Sequence, residues 1–249
     1  MSDPKFVHLR VHTEFSLVDG LVRIKELVKA AQAHSMPAVA MTDQVNLFAL
    51  VKFYKAALGA GVKPICGCDL WVHDPEQPDA EPTRLTLLVN TGQGYRNLME
   101  LISLAYEQGQ NAVLDKAVVT KALIAEKSEG LIALSGAKEG DIGRAILSDN
   151  GNAQTLLEGW MQVFPNRFYL ELQRTGRAGE EQVVHGCVEL AHATGCPLVA
   201  TNDVMFVRPE DFEAHEVRVC INQGRTFDDP TRPKNYSEEQ YFRSADEMA

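Results

Sequence analysis

The sequence predicts an α/β fold in which about seven strands, most of them joined by helices, close or nearly close into a barrel. Short apolar runs alternate with amphipathic stretches for most of the chain, which is the pattern of strand–helix units on a parallel sheet. The chain is 249 residues long, enough for one such barrel and its core. Polar residues with chemical potential fall just after the apolar runs, at the strand ends that line the mouth of a barrel.

Residues 6–11 read as the first strand. Residues 22–34 read as a helix with Ile24, Leu27, Val28 and Ala31 on one face, the spacing of a 3.6-residue period. A buried-type strand over 37–41 leads to a helix over 47–59, stopped by Gly59 and Gly61. Strands over 62–72 and 85–89 follow, then a helix around 95–108. Further strands are expected at 131–134, 168–172 and 198–201, with a helix at 180–194 before the last of them. The final clear helix is about 209–221. Residues 73–83, with Pro75, Pro78 and Pro82, read as a polar surface loop of hairpin-arm type. The expected division is a barrel domain over 1–224 and a segment over 225–249, with a new helical start at 237–240, leading toward a larger protein.

Composition narrows the class. Hydrophobic residues at 45% and charged residues at 23% fit a soluble globular protein. The net charge of −10 repels phosphate backbones, so little direct DNA contact is expected. The five cysteines are odd in number and scattered, which is no disulfide framework. Cys66 and Cys68 lack a second ligand pair and read as small apolar strand residues. Met1–Lys5 is polar, unlike a signal peptide, and no apolar stretch approaches the roughly 20 residues of a membrane span. A cytoplasmic protein without membrane contact is expected.

The strand ends supply His8, Arg10, His12 and Asp19-Gly20, then Thr42-Asp43-Gln44, Asp69, Arg84, Ser135-Gly136-Ala137, Thr201-Asn202-Asp203 and Met205. Histidine and carboxylate side chains suit zinc, manganese or iron, and close metal pairs suit phosphoester hydrolysis. Structural readings stand beside this one. Asp19-Gly20 is also an ordinary turn pair, and Asp43 is also a candidate cap for the helix beginning near Asn46. His185 and His192 read as surface residues, and His34, His73 and His215 as surface or packing residues. No nucleophile elbow, P-loop or dinucleotide fingerprint occurs.

The runs FVHLRVHTEFSLVDG (6–20), AMTDQ (40–44), KPICGCD (63–69), LSG (134–136) and ATNDVMF (200–206) resemble, in order, the motifs of the PHP (polymerase and histidinol phosphatase) domain of bacterial DNA polymerase III alpha subunits. The likeness is to the gammaproteobacterial type. The run NYSEEQYFRS (235–244) is similar to the segment leading from that domain toward the polymerase palm. The resemblance implies a distorted seven-stranded TIM-like barrel with a pocket that, in metal-binding members, has nine ligands for up to three ions. Carried over, four positions keep a ligand type: His12, Asp19, Asp69 and Asp203. Five do not: Arg10, Gln44, Arg84, Ala137 and Met205. Asp43 lies in the same vestigial pocket.

Arginine stays protonated and has no lone pair to give, and it repels a dication by several kcal/mol at short range. Arg10 and Arg84 are therefore expected to replace the metals' charge and hold Asp19, Asp69 and Asp203 without an ion. The resemblance also implies a non-catalytic scaffold that docks a separate proofreading 3′–5′ exonuclease subunit. The rest of the polymerase alpha subunit and the replisome are further implied partners. No cofactor is expected for this domain, and Mg²⁺ only in a polymerase domain beyond residue 249. The alternatives are a residual metal-dependent phosphoesterase, pyrophosphatase or exonuclease, and a stand-alone barrel enzyme of another kind.

Overall fold

The computed structural model describes residues 6–111, 116–149 and 151–249. The polar opening at 1–5 lies outside the described residues. The chain forms an α/β fold organised as two compact units. One takes the chain up to Cys66, Arg174–Arg177 and Thr201–Ala249, and the other takes Gly67–Gln173 and Ala178–Ala200.

In the first unit, α1 (Ile24–Ala33) buries Ile24, Leu27, Val28 and Ala31, the four residues that the helical period marks. The strand β1 (Ala38–Met41) is buried throughout and runs parallel to the start of β2 (Lys63–His73), with Met41 opposite Cys66. The first expected strand, 6–11, is extended backbone with isolated bridges rather than a regular strand. Ala40 donates to the His8 carbonyl and Thr42 to the Val11 carbonyl, while the Thr42 hydroxyl accepts the Val11 N–H in place of a backbone carbonyl. On its other side, Val11 bridges Val204 in parallel. The helix α2 (Leu50–Gly59) starts three residues later than expected, because 47–49 form turns that precede it.

In the second unit the sheet order is β4-β5-β2-β3-β6-β7-β8, with β3 (Thr83–Val89), β4 (Gln110–Asn111), β5 (Lys116–Thr120), β6 (Leu131–Leu134), β7 (Phe168–Leu172) and β8 (Leu198–Ala200). With β1, that makes eight strands among the described residues. The sheet is mixed, where alternation had predicted a parallel one. β3 is antiparallel to both β2 and β6, because β2 and β3 are joined by the proline-bearing loop 74–82 with no helix between them. The remaining pairings of β2, β6 and β7 are parallel. Helices α3 (Gly92–Glu107), α4 (Lys121–Glu126), α5 (Asp141–Ser148), α6 (Ala153–Val163) and α7 (Glu180–Thr194) belong to this unit. Of these, α4, α5 and α6 were not foreseen.

Back in the first unit, a 3₁₀ turn at Pro209–Asp211 leads into α8 (Phe212–Gln223), and α9 (Ala245–Met248) is the last element. The expected helical start at 237–240 is a turn instead, held by the Gln240 side chain, which accepts from the Ser237 N–H at 3.0 Å. The tail packs within this unit: Tyr241 bridges Phe206 in parallel, and Met205 donates to the Gln240 carbonyl at 2.9 Å.

Candidate functional site: buried arginine–carboxylate pairs

In the first unit, parallel pairing of the 8–13 segment with 202–206 places Arg10 beside Asp203. Val204 donates to the Arg10 carbonyl at 3.2 Å, and His12 donates to the Val204 carbonyl at 2.9 Å. The Arg10 Nε then stands 3.0 Å from Asp203 Oδ1, with both side chains 1% exposed. The two atoms form an ion pair by distance without the alignment of a linear hydrogen bond. Arg177 brings a second guanidinium to 3.3 Å from Asp203 Oδ2, and the Gln240 amide donates to that same oxygen at 2.9 Å. Asp203 itself sits at a φ of 48°, a left-handed backbone uncommon outside glycine. Val45, next to Gln44, is at 48° and Ala137 at 47°, so strained residues lie in or beside three of the strand-end motifs.

His12 and Asp19 are buried together, Nδ1 to Oδ1 at 3.0 Å, and the Tyr236 hydroxyl donates to Asp19 Oδ2 at 3.2 Å. Asp43 accepts from the Thr13 N–H at 2.6 Å, the Thr13 hydroxyl at 2.8 Å and the Ser16 hydroxyl at 3.2 Å. Burial pushes its carboxyl above the usual range, against these hydrogen bonds, which pull it down. Asp43 thus pins the 13–16 turn. It does not cap α2, whose N-cap is Ala49 with no side-chain cap. Gln44 is half-buried, and its N–H donates to Ser16 Oγ at 3.0 Å. Met205 is fully buried.

Gly20 is more than a turn former. A Cβ there would fall 1.9 Å from the Thr13 carbonyl oxygen, so the backbone approach itself excludes a side chain. His215 is buried, packed 5.4 Å from the Phe206 ring and edge-on to Tyr236 at 4.7 Å, and burial holds it below the ordinary histidine range.

In the second unit, the antiparallel register sets Asp69 opposite Thr86 and Trp71 opposite Arg84. All four side chains then share one face, and Arg84 and Asp69 are diagonal neighbours. Arg84 Nε is 3.3 Å from Asp69 Oδ2, and its Nη1 donates to Glu139 Oε2 at 2.9 Å. Thr86 donates to Asp69 Oδ1 at 3.0 Å. The Trp71 ring carries Arg84 at 4.7 Å and Lys116 at 4.1 Å. Ala137 is buried and opens a short 3₁₀ turn, before which the Gly136 N–H donates to the buried Glu171 carboxylate at 3.1 Å.

Sequence reasoning did not single out Arg177, Tyr236, Gln240, Glu139 or Glu171. The available signal was positional. Glu171 is the penultimate residue of β7, and Thr175-Gly176-Arg177 follows the strand, just where the other strands carry their motif residues. Cys66 is partly exposed in β2 and Cys68 buried there, and all five cysteines are free. His185 and His192 are exposed on α7. Among the described residues, no three His, Cys, Asp or Glu side chains are grouped so as to hold a metal ion, and no helix is long and apolar enough to cross a membrane.

Comparisons with known proteins agree with one another. The family profile described as PHP domain matches residues 8–175. The chain is 58% identical over 245 residues to the DNA polymerase III subunit alpha of Pseudomonas fluorescens, covering 98% of this chain and 21% of the relative. It is 50% identical over 249 residues to that of Escherichia coli K12, covering 100% and again 21%. The chain thus spans about a fifth of the length of these relatives. Among solved structures, an amidohydrolase from Chromobacterium violaceum, with sulfate bound and no metal, aligns with a TM-score of 0.51 at 12% identity, over 80% of this chain and 87% of that one. That likeness concerns the fold.

Proposed function

Because this chain belongs to the PHP domain family and is a close relative of part of the DNA polymerase III alpha subunit, we propose that it is a non-catalytic scaffold within a replicative DNA polymerase. On this reading it docks the separate proofreading 3′–5′ exonuclease subunit. The whole protein is a DNA-directed DNA polymerase whose Mg²⁺-dependent nucleotidyl transfer takes place outside these 249 residues.

The observation that carries the reading is the pair of guanidiniums, Arg10 and Arg177, on the buried carboxylate of Asp203. A carboxylate in such a pair already has its counter-charge, and a dication arriving there meets cations. Arg84 stands in the same relation to Asp69. The donor set therefore does not fit the multi-metal centre that the family resemblance implies. The acidic balance of the chain favours a protein-facing role over a DNA-facing one.

The test is elemental analysis of the full-length protein after dialysis, run alongside phosphodiester hydrolysis and binding of the exonuclease subunit. The reading expects no stoichiometric zinc, manganese or iron, no hydrolysis that requires this domain, and a stable complex with the exonuclease. Metal at near-full occupancy, removable together with hydrolytic activity, would establish the residual phosphoesterase instead.

A further inference from the structure

A strained turn displays an apolar side chain to solvent in the first unit. Leu17 sits at φ 64°, ψ −44°, and the Val18 N–H donates to the Ser16 carbonyl at 2.7 Å. This is a γ-turn with its central residue at positive φ, a rare and strained form for a residue with a side chain. The result is a leucine 60% exposed. The turn is clamped, because Arg218 on α8 donates from Nη2 to the carbonyls of Glu14 at 3.0 Å and Leu17 at 3.2 Å.

The clamp connects Leu17 to further apolar surface. Val217 and Ile221 lie on the exposed side of α8, beside Arg218, and Ile221 is 76% exposed. On the other side of the turn, Lys52 of α2 reaches Glu14 at 3.8 Å and lies 5.2 Å from the Phe15 ring centroid. Val51 and Leu58 stand exposed along α2, spaced so that they share one face, and Phe48 is exposed in the turn just before the helix. An apolar belt thus runs from α8 across the 14–18 turn onto α2. Monomeric surfaces rarely keep contiguous apolar patches beyond a few hundred Å² unless they bind something.

The charges along the belt decide what it fits. They are Lys52, Lys55 and Arg218 against Glu14, with Glu213 at the far edge of α8, and α2 carries no acidic residue at all. Within a chain of net charge −10, this is a locally cationic strip. We propose that the belt is a docking face for a protein segment that presents an apolar stripe bordered by carboxylates, with Leu17 as the anchor held out by the strained turn. The carboxylates meet Lys52, Lys55 and Arg218, and the stripe covers the exposed side chains. The inference does not depend on the identity of the exonuclease as a partner.

The test uses the full-length protein and two synthetic helices of about 20 residues, both with leucines along one face. One helix has glutamates flanking the stripe, and the other has lysines. The expected result is binding about tenfold tighter for the glutamate helix at low salt, with the preference reversed in a K52E/K55E variant. Leu17→Gly relieves the positive-φ strain, so it should hold or raise the melting temperature while weakening the glutamate helix about fivefold. Equal binding of the two helices, or binding indifferent to V51S and I221S, would overturn the proposal. Self-association of the protein abolished by those two substitutions would assign the belt to a second copy and overturn it as well. So would failure of an amine-reactive reagent to label Lys52 and Lys55 in the unbound full-length protein, which would mean that its own chain covers the belt.

Discussion

Arg10 and Asp203 face each other across a parallel backbone pairing, guanidinium to carboxylate at 3.0 Å, with neither side chain more than 1% exposed. Taking two charges out of water costs several kcal/mol each, and their attraction offsets this only if both partners are present. Asp203→Ala leaves Arg10 and Arg177 buried without their shared carboxylate and should destabilise the protein by about 3–5 kcal/mol. Arg10→Met should cost less, because Arg177 and Gln240 still contact Asp203. Chemical denaturation of the two variants checks the order, and an unchanged midpoint for Asp203→Ala would remove the pairing from the stability argument.

If the cations at these positions exclude metal, restoring ligand types should admit it. Arg10→His, Gln44→His and Met205→His together would add three imidazoles to a unit that already holds His12, Asp19, Asp43 and Asp203. The expected outcome is zinc or manganese retained through dialysis, measured by elemental analysis, where the parent retains none. Failure to take up metal with the fold intact, in the triple variant and again with Arg177→Ala added, would mean that backbone geometry rather than charge is what the pocket lacks.

His8 gives the protein a predictable acid sensitivity. Its ring lies between Phe6 and Phe242 and contacts the Arg243 carbonyl at 2.8 Å. Burial lowers its pKa from 6.5 to about 4, against the upward pull of that contact. The folded state therefore holds the neutral ring, and the unfolded chain binds the proton first. Stability is fully present above 6.5 and falls as pH drops from 6.5 toward 4, by about 3 kcal/mol at most from this one group. The raised Asp43 and Asp141 carboxyls act in the opposite sense, gaining stability as pH falls. Comparison with His8→Gln isolates the histidine: its curve between pH 4 and 6.5 should be flatter than the parent's.

Gly20→Ala should be among the most damaging small substitutions. The added methyl would meet the Thr13 carbonyl, a backbone atom that cannot rotate away, and Thr13 also anchors Asp43. A loss of about 3 kcal/mol is expected, in line with overpacking elsewhere. Gly59→Ala serves as the control, since a Cβ there meets nothing within 4 Å and alanine is the better helix former at this last residue of α2. Melting temperatures of the two variants should move in opposite directions.

Much of this protein was determined by sequence, where a local rule was enough. The α1 face of Ile24, Leu27, Val28 and Ala31, the strands Leu131–Leu134 and Phe168–Leu172, and the helix Glu180–Thr194 follow from periodicity and stop signals. The family motifs were legible in the same way, because their residue types and order survive even where ligand types do not. The run between 135 and 167 carried too weak a pattern to show α5 and α6, whose apolar faces exist only against each other and their neighbours. The direction of β3 was also out of reach, since an apolar run does not state which way it is paired. Tertiary structure alone decided which charges neutralise which. Arg177 comes to Asp203 from a turn 26 residues upstream, Gln240 from 37 residues downstream, and Tyr236 to Asp19 across 217. Local periodicity fixes where a side chain points from its own element, whereas a buried ion pair depends on where two distant backbones meet.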